Sequence, residues 1–379
     1  MLAVAVMLAS TVMVVNGLLI FFWLFNYHRF EATATAAYPR IAVLLAVRNE
    51  ATYLPECLDH LLALNYPADR CCIWVGNDQS KDDTLSIARR YAECNSRVQV
   101  VDVTGQLGEA QAKANVIAHL MQANARSTCP ADVLLITDAD VRVTPGWARA
   151  MVQRWQAGAP SRPVGIVTGV TVVAGQGLGA VGQRIDWLWA LGMVKVASDL
   201  GIPVATLGNN MLLLRQAYEA TGGYEALPFS ITEDFQILHQ TVASGYGFRN
   251  CIDADTLVLT QPMGSLAELL QQRKRWMHGA LQLPFYLVII LVLQALFLPL
   301  VLVVAGQNPG LAGGVWLAKV ALQWGFIYLV IRKVRLPRQL HRQTLKHLPW
   351  FELYASLLSL ASLFYYLLPT GLRWKERRF

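Results

Sequence analysis

The stretch Val133-Leu134-Leu135-Ile136-Thr137-Asp138-Ala139-Asp140-Val141 joins five apolar or β-branched residues to two carboxylates that stand one residue apart. A short run of this kind predicts a buried strand, with the acids at the point where it ends. Two carboxylates there can hold a hard divalent cation together with the ribose and diphosphate of a nucleotide. An Asp-x-Asp sequence is also common in turns, so the surrounding sequence decides between these interpretations.

Apolar runs alternate with helical patterns on both sides of this stretch. Strands are predicted at 41 to 47, 71 to 77, 97 to 102, 133 to 137 and 163 to 173, and helices near 52 to 65, 82 to 93, 109 to 124 and 145 to 157. Such alternation predicts βαβ units and an α/β fold with a mostly parallel, doubly wound sheet. Ligands of such sheets bind beyond the carboxyl ends of the strands, so residues at those ends are candidate site residues.

The composition indicates that part of the chain lies in a membrane. Hydrophobic residues make up 55% of the chain and charged residues 15%, against about 25% charged in ordinary soluble proteins. Residues 2 to 25 carry no charge and would form a helix of about 36 Å, which predicts a retained membrane anchor. Two further apolar runs, 283 to 305 and 310 to 331, predict a helical hairpin.

The distribution of charge argues against a nucleic-acid partner. The formal net charge is +7, yet residues 26 to 281 contain 21 basic and 23 acidic residues, so the positive excess follows residue 281. Anionic lipid head groups are the expected partner of that excess. Six basic residues and no acid lie between 332 and 349, which predicts a cytoplasmic loop and, through the hairpin, a cytoplasmic middle segment.

The last apolar stretch, 350 to 369, is followed by a basic tail. A fourth crossing would export that tail against the positive-inside rule, so a crossing, an interfacial helix and a re-entrant element all remain open.

The sequence thus divides into six predicted segments. They are a transmembrane anchor (1–26), a cytoplasmic catalytic domain (38–264), an interfacial helix (265–282), a transmembrane hairpin (283–331), a basic cytoplasmic loop (332–349), and a membrane or interfacial segment with a basic tail (350–379).

Polar residues follow the first two predicted strands. The first strand ends in Arg48-Asn49-Glu50, and Asp78 comes at the end of the second. A carboxylate fixed at a strand end can accept a hydrogen bond from the base or ribose of a nucleotide. The alternative is a polar turn in which Asp82 caps the next helix.

Two later segments add groups suited to transfer chemistry. Thr232-Glu233-Asp234 opens a predicted helix, and displacement at a sugar carbon needs a carboxylate such as Asp234 to take the proton of the acceptor hydroxyl. A helix N-cap with acids in its first turn explains the same residues without catalysis.

Ser265 and Glu268 form a capping box that opens a helix with Gln272-Arg273-Lys274-Arg275-Trp276. These residues could bind diphosphate and a sugar ring, or they could form a juxtamembrane belt of basic and aromatic side chains.

In this order the elements resemble the membrane-bound family-2 inverting glycosyltransferases, which include cellulose, hyaluronan and poly-N-acetylglucosamine synthases and ceramide glucosyltransferases. The similarity covers roughly residues 40 to 280 and rests on four ordered motifs. It implies a GT-A-type, Rossmann-like domain combined with transmembrane helices.

The resemblance also implies roles for the donor side of the site. Asp78 would contact the nucleotide base, although Asn77-Asp78-Gln79-Ser80 departs from the usual Asp-Asp-Gly-Ser. Asp138 and Asp140 would bind the nucleotide sugar and a Mg²⁺ or Mn²⁺ ion. Arg48, Asn49, Glu50 and Lys113 are further candidates for nucleotide-sugar binding, the last on a partial match at Lys113-Ala114-Asn115.

On the acceptor side, the resemblance implies that Asp234 is the general base. Gln272, Arg275 and Trp276 would line the diphosphate and acceptor site as a Q-x-x-R-W motif. These assignments predict a metal-dependent hexosyltransferase in which the donor and acceptor groups meet in one cleft.

Few apolar segments accompany the domain, which disfavours a polymer channel. We therefore expect transfer of a hexose or N-acetylhexosamine from a nucleotide sugar, with UDP favoured, to a membrane lipid at the cytoplasmic face of the plasma (inner) membrane. A processive polysaccharide synthase that extends a growing glycan is the alternative within the same chemistry. A non-catalytic membrane scaffold that only binds nucleotide sugar is the alternative from another class.

Overall fold

The computed structural model describes residues 1–31, 38–158, 160–375 and 377–378. The chain forms two compact units. The sheet unit comprises Arg29–Val172 and Gly201–Gln261, and the helical unit comprises Met1–His28, Val173–Leu200 and Pro262–Phe379.

The strands are β1 (Ile41–Val47), β2 (Cys71–Asn77), β3 (Val98–Asp102), β4 (Val133–Thr137), β5 (Val141–Arg142), β6 (Val164–Thr168), β7 (Thr171–Val173), β8 (Asn210–Leu214), β9 (Gly247–Asn250), β10 (Val258–Thr260), β11 (Arg373–Trp374) and β12 (Arg377–Arg378). The helices are α1 (Leu2–Phe25), α2 (Leu54–Leu62), α3 (Thr84–Cys94), α4 (Ala112–Ala125), α5 (Trp147–Gln156), α6 (Leu178–Asp199), α7 (Arg215–Ala220), α8 (Gly223–Ala226), α9 (Glu233–Ala243), α10 (Leu266–Ala280), α11 (Phe285–Ala295), α12 (Phe297–Ala305), α13 (Pro309–Val334), α14 (Arg338–His347) and α15 (Phe351–Leu367).

A seven-stranded sheet with the order β3-β2-β1-β4-β8-β6-β9 forms the centre of the sheet unit. Its pairs are parallel except that β8 runs antiparallel to both β4 and β6, which confirms the predicted α/β fold with a mostly parallel sheet. In the register, Val47 lies opposite Asn77 and Leu45 opposite Thr137. The carboxyl ends of β1, β2 and β4 therefore share one edge, where the predicted site residues begin.

The prediction of one continuous strand from 163 to 173 is wrong. The run divides into β6, which belongs to the seven-stranded sheet, and β7, which joins β5 and β10 in a second sheet. Gly169 stands at the division, and a Cβ there would lie 2.6 Å from the Thr256 carbonyl oxygen and from Asn210 Nδ2. Only glycine permits so close an approach, and the chain changes sheets at that point.

Alternating side chains of β1 enter two different apolar cores. Val43 and Leu45 pack in a cluster with α2, α3 and α5, whereas Ala42 and Leu44 pack in a cluster with α4 and α9. All four side chains are fully buried. Helices therefore cover both faces of the sheet, as the uninterrupted apolar sequence of β1 requires.

The helical unit contains segments long and apolar enough to cross a membrane. Among the described residues these are α1 and α13, together with α11 and α12 if that pair, bent by 50°, forms one broken span or a re-entrant loop. Ala9 and Val12 of α1 pack against Phe297 of α12 and Ala312 of α13. The small side chains of Ala9 and Ala312 let α1 and α13 approach closely.

A buried ion pair joins α13 to α15. Lys319 Nζ lies 2.6 Å from Glu352 Oε2, and each side chain is 3% exposed. The Ser356 hydroxyl donates a hydrogen bond of 3.0 Å to the other carboxylate oxygen. The Lys319 ammonium also lies 5.1 Å from the centre of the Phe297 ring. Each charge is thus enclosed by protein and depends on the other for compensation.

We expect Glu352→Gln to destabilise the protein by about 3 kcal/mol or more, because it leaves the Lys319 ammonium buried without an ionised partner. The double variant Lys319→Met/Glu352→Leu should recover most of that loss, since both charges are removed together. Thermal unfolding in detergent micelles measures both. Equal losses in the single and the double variant would show that the pair itself does not matter.

Candidate active site

The turns that follow β1 and β2 are held together by hydrogen bonds. Arg48 Nη1 donates to the Asp78 carbonyl oxygen at 2.7 Å, and the Asn49 N–H donates to the Ser80 hydroxyl oxygen at 3.1 Å. The Lys81 N–H donates to Asn49 Oδ1 at 2.9 Å. Asn49 adopts a left-handed conformation with φ of 54°, which asparagine tolerates better than most residues. The structure therefore brings Arg48, Asn49 and Asp78 together as predicted site residues.

Asp82 stabilises the turn before α3, but it does not cap that helix as the alternative interpretation predicted, because the N-cap residue is Asp83. Its carboxylate accepts hydrogen bonds from the N–H and hydroxyl of Thr84 and from the Ala51 N–H. Burial raises the pKa of Asp82, but these hydrogen bonds outweigh it and hold the pKa below its ordinary value. Asp78, by contrast, is 5% exposed and lies at the strand end itself. Asp82 therefore stabilises the turn, and Asp78 is the candidate for ligand binding.

The two acids that follow β4 have separate partners. Asp138 Oδ1 lies 2.5 Å from Lys113 Nζ, and 34% of the Asp138 side chain is exposed. Asp140 Oδ2 accepts a hydrogen bond of 3.0 Å from the Thr260 hydroxyl. Thr260 reaches this position because β10 pairs with β5, which starts one residue after Asp140. Thr260 was not predicted, since nothing in the local sequence reveals a pairing over that chain distance.

Lys113 connects the Asp138 turn to the start of α9. Its ammonium donates to the Gly208 carbonyl oxygen at 2.9 Å and lies 3.9 Å from Glu233 Oε1. Burial alone would lower the pKa of Lys113, but Asp138, Glu233 and Asp234 together raise it above its ordinary value. The side chain, 11% exposed, is therefore a permanent positive charge among three carboxylates.

Asp234 is fixed in the first turn of α9. Its Oδ2 accepts a hydrogen bond of 3.1 Å from the Gly208 N–H, and its Oδ1 accepts one of 2.8 Å from the Phe235 N–H. Thr232 stands at the N-cap position, but its side chain makes no capping hydrogen bond. The acids of the first turn still lie favourably at the positive end of the helix dipole.

Gly208 is a site residue that was not predicted from the sequence. Its N–H binds Asp234 while its carbonyl oxygen binds Lys113. A Cβ at this position would lie 3.3 Å from both Lys113 Nζ and Asp234 Cβ. Gly208 acts through its backbone atoms, and such a role leaves no mark on residue type.

Gln272, Arg275 and Trp276 lie on α10, in the helical unit. The Ser265 hydroxyl accepts the Glu268 N–H at 3.2 Å, which confirms the predicted helix cap. The Trp276 ring packs between the Arg273 guanidinium, 4.6 Å from its centre, and the Trp187 ring of α6 at 5.3 Å. Trp187 was missed, because α6 was not predicted.

The sheet unit provides three kinds of group at this edge. Asp138 and Asp140 offer carboxylate oxygens, Lys113 is a cation held in place by its hydrogen bonds, and the carboxylate of Asp234 is oriented by two N–H groups. Among the described residues, no group of three or more His, Cys, Asp or Glu side chains is placed to hold a metal ion. Asp138 and Asp140 are nevertheless suited to share a hard cation with an anionic ligand, because both offer carboxylate oxygens. Asp234 can accept a proton from a hydroxyl group placed beside it.

Comparison with known proteins bears on the family and the fold of the chain. Residues 9–379 match the family model described as Glycosyl transferase family 21. The beta-monoglucosyldiacylglycerol synthase of Synechocystis sp. is 24% identical over 264 residues, which cover 66% of this chain and 49% of that protein. The corresponding synthase of Trichormus variabilis is 23% identical over 245 residues, again 49% of its length. The chain thus spans about half the length of these curated relatives.

Among solved structures, the mannosyltransferase PcManGT from Pyrobaculum calidifontis, in complex with GDP-Man and Mn²⁺, superposes with a TM-score of 0.59. The two chains are 18% identical, and the match covers 94% of this chain and 98% of that one. This likeness concerns the fold and agrees with the predicted GT-A-type architecture. Since the family match extends over nearly the whole sequence, the chain belongs to glycosyl transferase family 21, in the family-2-related group of the ceramide glucosyltransferases that its motifs predict.

Proposed function

We propose that this glycosyltransferase moves a hexose or N-acetylhexosamine, with inversion, from a UDP-sugar to the hydroxyl group of a membrane lipid. The observation that carries the proposal is the cluster in which Lys113 joins Asp138 to the start of α9, where Asp234 is held by the Gly208 N–H. The relatives named as beta-monoglucosyldiacylglycerol synthases support a diacylglycerol-type acceptor and glucose as the sugar. The basic residues from 332 to 349 support a cytoplasmic position for residues 38–264.

In this mechanism Asp234 takes the proton of the acceptor hydroxyl as that oxygen attacks the sugar carbon. The Gly208 and Phe235 N–H groups orient its carboxylate before the attack. Lys113 compensates the charges of Asp138, Glu233 and Asp234, so the three carboxylates can stay close together before the donor arrives. Arg48 holds the turn from which Asp78 would contact the nucleotide.

We propose that Asp138 and Asp140 hold a Mg²⁺ or Mn²⁺ ion together with the donor diphosphate. The donors fit such an ion, since both are carboxylates and Asp138 is partly exposed while Lys113 occupies only its Oδ1. The ion would neutralise the charge that develops on the departing diphosphate. The solved mannosyltransferase with Mn²⁺ and a nucleotide sugar supports the same choice.

Asp234→Asn should lower the rate of sugar transfer by a factor of about 100 or more, because the amide cannot accept the proton. Donor binding should persist, since the amide oxygen can still accept the Gly208 N–H. UDP release measures the rate, and the thermal shift caused by UDP-glucose measures binding. Glu93→Gln, an exposed acid on α3, is the matched control and should leave both values unchanged. Full turnover in Asp234→Asn would remove Asp234 from the role of base.

Gly208→Ala should slow transfer about tenfold while donor binding changes little, because the added Cβ pushes Lys113 or Asp234 from its position. Gly146→Ala is the control, since a Cβ there meets nothing within 4 Å. The kcat and KM of both variants test the prediction. Equal kcat values for the two variants would show that the Gly208 contacts do not position the site.

Removal of divalent cations with EDTA should abolish transfer, and Mn²⁺ or Mg²⁺ should restore it. Asp140→Asn should raise the Mn²⁺ concentration needed for half-maximal UDP release about tenfold, because one charged ligand is lost. A metal titration of both proteins tests this. Turnover that persists in EDTA would contradict the assignment of a metal to Asp138 and Asp140.

A further inference from the structure

Each carboxylate of the Asp138-Ala139-Asp140 turn receives a hydrogen-bond donor from a distant part of the chain. Lys113 Nζ lies 2.5 Å from Asp138 Oδ1, and the Thr260 hydroxyl donates to Asp140 Oδ2 at 3.0 Å. A cation placed beside either of these oxygens would meet the positive hydrogen of its donor. Each acid therefore presents its second oxygen to a cation more readily than the oxygen that is already engaged.

Strand pairing places Thr260 beside Asp140. In the register of β5 and β10, Thr260 lies opposite Val141, the residue that follows Asp140. The Val258 N–H of β10 donates to the Val170 carbonyl oxygen at 3.0 Å, and Val258 is fully buried. Thr260 itself is 5% exposed, and a β-branched side chain has few rotamers available. The hydroxyl group is therefore held in one place before any ligand arrives.

The backbone that carries the two acids is fixed as well. The Val141 N–H donates to the Asp138 carbonyl oxygen at 3.2 Å and closes the turn. Ala139, between the acids, is 2% exposed and belongs to the same apolar cluster as Cys57 and Val258. Since the base of the turn is rigid, the donors at the carboxylate oxygens decide how the two acids face a ligand.

The number of carboxylate oxygens that a site offers distinguishes one hard cation from another. Ca²⁺ takes about six to eight oxygen ligands and often both oxygens of one carboxylate, whereas Mg²⁺ takes about six in a strict octahedral arrangement and keeps several waters. Mn²⁺ also occupies octahedral oxygen sites. Two acids that give one oxygen each suit the octahedral ions and leave the remaining positions for diphosphate and water.

We propose that Thr260 is a positioning residue for the metal site: its hydroxyl holds Asp140 Oδ2, so Asp140 offers a single oxygen and the site prefers Mg²⁺ or Mn²⁺ to Ca²⁺. The inference rests on the metal proposed above at Asp138 and Asp140. Lys113 constrains Asp138 in the same way but also compensates charge. Thr260 is neutral, so its substitution tests the constraint without changing the charge of the site.

Thr260→Val removes the hydroxyl and keeps the shape and branching of the side chain. The full chain in detergent, with UDP present, is titrated with Mn²⁺, and electron paramagnetic resonance measures the free ion. Ca²⁺ is then added to displace the bound Mn²⁺. The Kd of Mn²⁺ should rise about tenfold, because a carboxylate that has lost its hydrogen bond is no longer oriented. The Kd of Ca²⁺ should change little, since Ca²⁺ gains the released oxygen, so the preference for Mn²⁺ over Ca²⁺ falls about tenfold.

Two further substitutions serve as controls. Thr260→Ser keeps a hydroxyl group and should retain the preference for Mn²⁺. Thr241→Val makes the same exchange at a fully buried threonine of α9, whose hydroxyl has no hydrogen-bond partner in the described part of the chain, and should leave both Kd values unchanged. Thermal unfolding without metal shows whether each variant is folded. If Thr260→Val does not fold, Thr260→Ala compared with Thr260→Ser gives the same contrast between a missing and a present hydroxyl.

The outcomes separate this inference from the metal site itself. An equal preference for Mn²⁺ over Ca²⁺ in Thr260→Val and in the original protein would overturn the role of Thr260. Loss of the preference in Thr260→Ser would do the same, because the hydroxyl is still present. If the original protein binds no Mn²⁺ in the presence of UDP, the metal at Asp138 and Asp140 is wrong, and the inference is wrong with it.

Discussion

The positive charge of Lys113 is the interaction on which the site depends. Carboxylates that approach one another in a partly buried place repel, and they must separate or take up protons unless a cation lies among them. Lys113 supplies that cation, with Asp138 at 2.5 Å and Glu233 at 3.9 Å. Lys113 thus holds two acids from distant parts of the chain close together. The same ammonium binds the Gly208 carbonyl oxygen, so charge compensation and backbone position are set together.

The sheet determines which residues Lys113 can reach. The strands β1, β2 and β4 are parallel and in register, so the residues that follow them emerge at one edge. The antiparallel strand β8 pairs with β4 and brings Asn210 opposite Thr137, which places the Gly208 segment beside the Asp138 turn. Buried apolar side chains hold these strands, and the polar groups at their ends are therefore positioned by a rigid core.

The sequence was most informative where an apolar run ends in polar residues. The strands β1, β2 and β4 begin and end at the predicted residues, because each is a buried run with a sharp polar limit. The division between β6 and β7 was missed, since the contacts that require Gly169 come from distant residues. The helix α6 was missed as well, because buried Arg184 and Lys195 interrupt its apolar pattern. At the site, Asp138 and Asp234 could be named from motifs, whereas Gly208 and Thr260 act through backbone atoms or long-range pairing.

The helical unit is assembled from three separate parts of the chain, and α6 is its middle part. Gly192 of α6 packs against Phe326 and Val330 of α13, which the ribosome synthesises much later. During synthesis the face of α6 around Gly192 therefore stays uncovered until α13 has been made. Chain order thus makes the synthesis of α13 a condition for burying α6, which precedes it in the chain. A truncated chain would expose the same surface to chaperones and proteases.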